Sequence, residues 1–136
     1  MTPTETVREF IAAINEHHID KMVSMMTPDH TFVDSLGKVI PTRRAMRDAW
    51  LGFFEIVPDY TMTIAETMAE AQSVMAVGSA SGTYAKDGEL LPQNAWKVPA
   101  AWRAVTSGDR ISTWQAFVDN EPLRRIMQHS GAPAGD

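Results

Sequence analysis

The chain has 136 residues, a formal net charge of −5 and no cysteine. Its length fits a single domain, and the lack of cysteine excludes disulfides, thiol nucleophiles and zinc–thiolate sites. The acidic charge argues against nucleic acid or an anionic membrane as a partner. Because the sequence shows neither a signal-peptide-like segment nor an apolar run long enough to span a membrane, we expect a cytoplasmic protein.

The first helix is predicted from its entry signal. Thr2 is a capping residue, and Glu5 completes a capping box with it. Apolar residues then recur at helical spacing, among them Phe10 and Ile14, and predict one buried face. A second, short helix follows, for which Asp20 is the expected cap.

Residues 30–38, which read "HTFVDSLGK", predict a strand followed by a turn. Residues 39–41 predict a short return strand, after which Thr42 caps a third helix. The apolar residues of that helix recur as adjacent pairs every four residues and include Trp50 and Phe54. This spacing gives the third helix a broad apolar face.

The second half of the chain is rich in strand-forming segments. The predicted strands are residues 60–66, 73–85, 95–105 and 111–118. A loop is predicted over residues 86–94, and a last helix is predicted after the final strand. Helices followed by a run of strands favour an α+β fold with a largely antiparallel sheet.

The last strand carries apolar residues on both faces, with Trp114 on one side and Phe117 on the other. A sheet that is apolar on both faces needs cover on both. The helices cover one face, and a second copy of the chain is the simplest cover for the other. We therefore expect a homodimer formed through the sheet.

Two phrases carry a family resemblance. Residues 10–37, "FIAAINEHHIDKMVSMMTPDHTFVDSLG", and residues 108–122, "GDRISTWQAFVDNEP", resemble the opening and the last strand of the SnoaL-like polyketide cyclases and ketosteroid isomerases, in the nuclear transport factor two-like superfamily. The resemblance implies one SnoaL-like domain over residues 1–130 and a short tail over residues 131–136. It also implies a cone-shaped, curved sheet wrapped by three to four helices around an apolar pocket, with dimers formed through the sheet.

Asp34 falls where ketosteroid isomerase carries its general base. If the strand continues through it, Asp34 shares a face with Phe32, and desolvation beside apolar walls makes a carboxylate a better base. The alternative is that Asp34 opens a turn and binds backbone amides. By alignment, the oxyanion-hole tyrosine of that enzyme falls on Phe10 and its aspartic acid falls near Ala101, and neither side chain donates a hydrogen bond. The resemblance therefore does not imply steroid isomerisation.

The remaining polar candidates each have a structural alternative. His30 lies about 13 Å from Asp34 along an extended strand, too far for a hydrogen bond, so it either lines a pocket or binds the backbone. The neighbouring His17 and His18 fit a turn between helices. The arginines at the start of the third helix (Arg43, Arg44 and Arg47) either bind an anion or form a solvated face.

The resemblance implies an isomerase- or cyclase-type enzyme in which Asp34 removes a proton next to a carbonyl of a small hydrophobic substrate. The alternative is a non-catalytic module that binds a small ligand or only dimerises. No metal, nucleotide or flavin motif occurs in the sequence, so we expect neither metal nor cofactor. The candidate pocket residues are Phe10, Ile14, His30, Phe32, Trp50, Phe54, Tyr60, Trp102 and Trp114.

Overall fold

The computed structural model describes residues 1–130, which form four helices and six strands. The helices are α1 (Pro3–Asn15), α2 (Ile19–Ser24), α3 (Arg43–Ile56) and α4 (Glu121–His129). The strands are β1 (Met26–Val33), β2 (Val39–Pro41), β3 (Thr61–Glu70), β4 (Ser73–Lys86), β5 (Glu89–Ser107) and β6 (Arg110–Val118). The predicted α+β class is confirmed, and the expected tail lies outside the described residues. No helix among residues 1–130 is long and apolar enough to cross a membrane.

The strands form one curved sheet in the order β2-β1-β6-β5-β4-β3. Neighbouring strands are antiparallel except for β1 and β6, which are parallel. The prediction of a mostly antiparallel sheet is therefore confirmed. The β1–β6 pair places the beginning of the chain beside its last strand, and this pairing positions the buried residues of both strands on one inner face.

The alternation of burial along β5 defines the two faces of the sheet. Even-numbered residues from Asn94 to Thr106 are buried, whereas the odd-numbered ones are exposed or half-exposed. Trp102 therefore points into the core. Ala101 lies on the outer face, where it pairs with Phe117 of β6. A one-residue step along a strand reverses the side-chain direction, so Ala101 does not share the inner face with Trp102.

Helix α1 begins as its sequence predicts and is fixed to the sheet at its end. Thr2 and Glu5 form the reciprocal capping box. At the other end, Asn15 exchanges two hydrogen bonds with the backbone of Met62 in β3, at 2.9 and 2.8 Å. These contacts, together with the buried apolar face of the helix, place Phe10 against the inner surface of the sheet.

Three local predictions are corrected by the structure. The cap of α2 is His18, whose Nδ1 accepts from the amide of Lys21 at 3.1 Å, and not Asp20. Strand β1 begins at Met26 rather than at residue 30. The segment predicted as a loop at residues 86–94 is mostly β5, because positive φ angles at Asp87 (55°) and Gly88 (80°) close a two-residue hairpin.

Candidate functional site

A compact group of rings, the His30 cluster, consists of Phe10, His30 and Trp114. The Phe10 ring centroid lies 5.0 Å from that of Trp114 and 6.4 Å from that of His30. All three side chains are fully buried. Phe10 comes from α1, His30 from β1 and Trp114 from β6, so the parallel strand pair and the capped helix together assemble this cluster.

A second group, the Tyr60 cluster, consists of Trp50, Phe53, Phe54, Tyr60 and Trp96. The Tyr60 ring lies 4.9 Å from Phe53, 6.2 Å from Trp96 and 6.4 Å from Trp50. The rings of Trp50 and Phe54 are 5.4 Å apart. Burial raises the pKa of the Tyr60 hydroxyl, so the phenol stays neutral and keeps its donor proton.

His17 fixes this second cluster to the turn between α1 and α2. Its ring stacks on Phe54 at 4.0 Å, and its Nε2 lies 3.0 Å from the carbonyl oxygen of Tyr60. The structure therefore agrees with the interpretation of His17 as a turn residue. Sequence reasoning missed His17, Phe53 and Trp96 as parts of this cluster. For Trp96 a signal existed, since it shares the parity of Trp102 on the same strand.

One ring nitrogen of His30 forms a hydrogen bond, and the other has no hydrogen-bond partner among residues 1–130. Its Nδ1 lies 2.8 Å from the carbonyl oxygen of Ile111. A carbonyl only accepts, so Nδ1 carries the proton and Nε2 of the neutral ring carries a lone pair. Nε2 is buried without a hydrogen-bond partner among residues 1–130. Desolvation lowers the pKa of His30, against the opposing effects of the Ile111 hydrogen bond and the charge of Asp29, and favours the neutral ring.

Other buried polar side-chain atoms also lack a hydrogen-bond partner among residues 1–130. The indole Nε1 atoms of Trp96 and Trp114 are buried without a partner within the described part of the chain, as are the hydroxyls of Thr6 and Thr27. Such orphaned polar atoms are uncommon in native interiors. The aromatic interior therefore offers N–H donors and, at His30, a lone pair that is free to accept a proton.

Asp34 lies just beyond β1 and is occupied by the turn that follows. Its Oδ1 accepts from the amides of Leu36 and Lys38, both at 2.9 Å. Its own amide donates to the carbonyl of Lys38, and its carbonyl accepts from Gly37. Because β1 ends at Val33, the carboxylate is half-exposed and does not continue the inner face. This geometry corresponds to the turn alternative and not to the predicted general base.

The other predicted pocket residues lie on the inner walls. Ile14 and Trp102 are buried, and Phe32 is half-buried opposite Trp114 in the β1–β6 register. Phe54 is also half-buried. Six of the nine predicted pocket residues thus lie in the two clusters, and Ile14, Phe32 and Trp102 lie outside both. Among residues 1–130, Asp34 forms no hydrogen bond to either cluster.

Two of the three arginines of α3 contact other elements. Arg43 donates to the carbonyl of Met26 at 3.3 Å, and Arg47 lies 3.7 Å from the carboxylate of Asp20. Arg44 is exposed. Within residues 1–130, no group of three or more His, Asp or Glu side chains is arranged to hold a metal ion.

A surface groove of about 530 Å³ borders the interior. It runs between α4 and the first half of β5. Trp96 lines the groove and also contacts Tyr60, so the groove adjoins the Tyr60 cluster. Its wall also includes Lys97, Arg125 and Ile126.

Solved structures share this architecture. A proposed polyketide cyclase from Xanthomonas campestris pv. campestris aligns with a TM-score of 0.79 and 17% identity, over 91% of this chain and 96% of its own. A proposed SnoaL-like polyketide cyclase from Shewanella putrefaciens aligns with a TM-score of 0.77 and 14% identity, over 95% and 98%. A protein with a ketosteroid isomerase-like fold from Catenulispora acidiphila, solved in complex with trimethylamine, aligns with a TM-score of 0.75 and 21% identity, over 96% and 95%.

These similarities establish the fold, and a family model establishes the family. No protein with a curated description matches the chain. The model described as a SnoaL-like domain matches residues 7–119, which include both aromatic clusters and all six strands. The chain therefore belongs to the SnoaL-like domain family.

Proposed function

We propose that the protein is an enzyme of the isomerase or cyclase type that moves a proton next to a carbonyl of a small hydrophobic substrate. The observation that carries the proposal is the indole N–H of Trp114, which is buried without a partner among residues 1–130, on a ring that packs against Phe10. A preorganised donor in a water-excluded site stabilises the negative charge that forms on a carbonyl oxygen. Trp114 would thus supply the donor that the position of Phe10 lacks.

The walls of the interior match a largely apolar, planar ligand. Buried and half-buried aromatic rings from α1, α3, β5 and β6 support this, since each such ring would offer a ligand a large apolar contact area. The neutral Tyr60 hydroxyl offers a further donor. The groove beside Trp96 supports an entrance at that end of the interior. Proton transfer of this kind uses a base and a donor, so the proposal includes no cofactor.

Hydrogen–deuterium exchange at the substrate carbon tests the proposal, whichever product the enzyme forms. Wild-type protein is incubated in D₂O with a panel of small aromatic and alicyclic ketones, and deuterium uptake next to the carbonyl is followed by NMR. We expect Trp114→Phe to lower the exchange rate by roughly 100- to 1,000-fold, the usual effect of losing one oxyanion donor. Tyr84→Phe is the matched control, because it removes a polar atom from a buried ring outside both clusters.

A wild-type protein that produces no exchange above background with any ketone would contradict the enzyme proposal. The non-catalytic alternative is favoured by one observation, the buried Phe10 in place of a donor. Under that alternative, apolar ligands quench the tryptophan fluorescence of the protein, and no deuterium is taken up.

We also propose that a second copy of the chain covers the outer face of the sheet. Phe117 and Met68 are 47% and 63% exposed there, and apolar residues such as Val77 and Ala101 extend the same surface. Light scattering should report a dimer, and Phe117→Glu should shift it towards monomer by burying a charge. A wild-type monomer at micromolar concentration would contradict this arrangement.

The absence of cysteine from the chain also supports a cytoplasmic location.

A further inference from the structure

We propose that Nε2 of His30 is the general base of this enzyme, in the role that the family resemblance suggested for Asp34. The inference rests on the proposed function and adds the residue that takes the proton. Three features carry it: a fixed tautomer, a buried lone pair without a partner among residues 1–130, and a buried N–H donor on a second neighbour of Phe10.

The tautomer is fixed by the backbone. Nδ1 of His30 donates to the carbonyl of Ile111 at 2.8 Å, and the amide of Ile111 itself donates to the carbonyl of Met25 at 2.7 Å. The acceptor for the histidine is therefore a fully buried peptide group held between two elements. A ring oriented in this way presents the unprotonated Nε2 as its only basic atom.

The lone pair on Nε2 faces an apolar interior. His30 is 0% exposed, and its Nε2 has no partner among the described residues. Phe10 contacts the rings of both His30 and Trp114, so the base and the proposed oxyanion donor are neighbours of the same side chain. A substrate bound beside Phe10 would lie near both a proton acceptor and an N–H donor.

The proton balance of the step needs no further reagent. The Nε2 lone pair takes a proton from the carbon next to the carbonyl, the C–H electron pair forms the carbon–carbon double bond of an enolate, and the carbonyl electrons move to oxygen. The Trp114 N–H donates to that oxygen. The imidazolium, protonated on both nitrogens, then returns the proton from Nε2 to the same or another carbon. The carboxylate of Asp29, on the neighbouring residue of β1, favours the imidazolium.

Two substitutions separate His30 from Asp34. In His30→Asn the amide can still donate to Ile111, but nothing replaces Nε2. In Asp34→Asn one oxygen can still accept from Leu36 and Lys38, but the carboxylate is gone. We expect His30→Asn to lower deuterium exchange by at least about 100-fold, the lower end of general-base effects. We expect Asp34→Asn to change exchange by less than about threefold, because the carboxylate takes no part in the chemistry.

Ligand binding and NMR keep the test decisive if the rate alone is ambiguous. The affinity of His30→Asn for an exchanging ketone, measured by tryptophan fluorescence, should stay within about threefold of the wild type, because the base acts in the transition state. Nitrogen-15 NMR of labelled wild-type protein should show the His30 proton on Nδ1. This measurement needs neither a variant that folds nor a known substrate.

The outcomes are distinguishable. An active wild type with equal exchange in His30→Asn overturns the role of His30 and leaves the proposed function intact. An active wild type that loses exchange only in Asp34→Asn assigns the base to Asp34. A His30 ring protonated on Nε2 also overturns the inference. A wild type without exchange refutes the proposed function itself, on which this inference depends.

Discussion

The two titratable groups at the end of β1 are used in opposite ways. His30 is completely buried, and the backbone occupies one of its nitrogens while the other has no partner within residues 1–130. Asp34 is half-exposed, and two backbone amides share its Oδ1. The chemical role of a side chain therefore depends on which of its atoms the fold has already occupied, and not on the residue type alone.

The end of β1 explains the difference. The strand stops at Val33, and the amide of Asp34 then donates to Lys38 across the turn. Ser35 continues the sheet contact through its side chain, donating to the carbonyl of Ala116 and accepting from the amide of Val118. If β1 continued one residue further, Asp34 would point towards the inner face that His30 and Phe32 share.

The largest effect on stability is expected from removing the histidine ring. His30→Ala leaves a cavity in a fully buried position and deprives the Ile111 carbonyl of its ring partner. We expect the free energy of unfolding to fall by about 3 kcal/mol, as for other large-to-small core changes. Urea unfolding followed by circular dichroism measures this. A loss below about 1 kcal/mol would show that the ring is not packed as described.

Asp34→Ala is expected to have the next largest effect. It removes the acceptor of two backbone amides in the β1–β2 turn, and we expect a loss of about 1–2 kcal/mol, discounted because the group is half-exposed. Asp34→Asn, which keeps an acceptor oxygen, should lose less than about 1 kcal/mol. Equal losses in both variants, measured by the same urea titration, would mean that the turn does not depend on the acceptor.

The pH dependence of stability should also distinguish the two sites. Burial lowers the pKa of His30 from its ordinary value of 6.5, so the unfolded chain binds this proton at a higher pH than the folded chain. The contribution to stability is complete above about pH 6.5 and is lost as the pH falls towards the folded-state pKa, with a slope of at most about 1.4 kcal/mol per pH unit. Thermal unfolding between about pH 7.5 and 5 should show this loss in the wild type and a flatter profile in His30→Asn.

Groups on the neighbouring elements also affect the pKa of His30 and therefore the dependence of stability on pH. Asp29 on β1 raises the pKa of His30, and the guanidinium of Arg43 on α3 reaches the backbone of β1 at Met26. The neighbours from α1 and β6 are Phe10, Trp114 and Ile111, which do not titrate. An unchanged slope in His30→Asn would assign the pH dependence to another group.

The smallest expected effect comes from Asp29→Asn. Its carboxylate raises the pKa of His30, so the substitution should move the His30 titration to slightly lower pH. The exposed position of Asp29 keeps the shift small, since solvent and salt screen the interaction. Proton NMR of the ring during a pH titration measures the shift, and an upward shift would contradict the assignment.

Much of the fold was predictable because its signals are local. The capping box at Thr2 and Glu5, the Thr42 cap of α3 and the strand-rich second half of the chain all appear in the structure. The extent of β5 was also accessible, since Asp87-Gly88 is a typical two-residue hairpin sequence.

The site was less predictable because it depends on non-local details. The direction of the Trp102 side chain follows from the register of β5 with its neighbours. The role of Asp34 follows from the end of β1 at Val33, one residue before Asp34. The free nitrogen of His30 depends on a carbonyl contributed by the last strand. The residue pattern of a single segment does not predict these features, because each depends on another segment.

The hydrogen bond to that carbonyl has a consequence for the order in which the molecule assembles. The residues joined by the His30–Ile111 hydrogen bond are 81 positions apart, and the parallel pairing of β1 with β6 spans most of the chain. Contacts of such separation form late, after loop-closure entropy has been overcome. While the chain emerges from the ribosome, its imidazole would tumble as an ordinary exposed ring. It acquires a defined protonation site only when β6 docks beside β1, so the assembly of the His30 cluster depends on completion of the sheet.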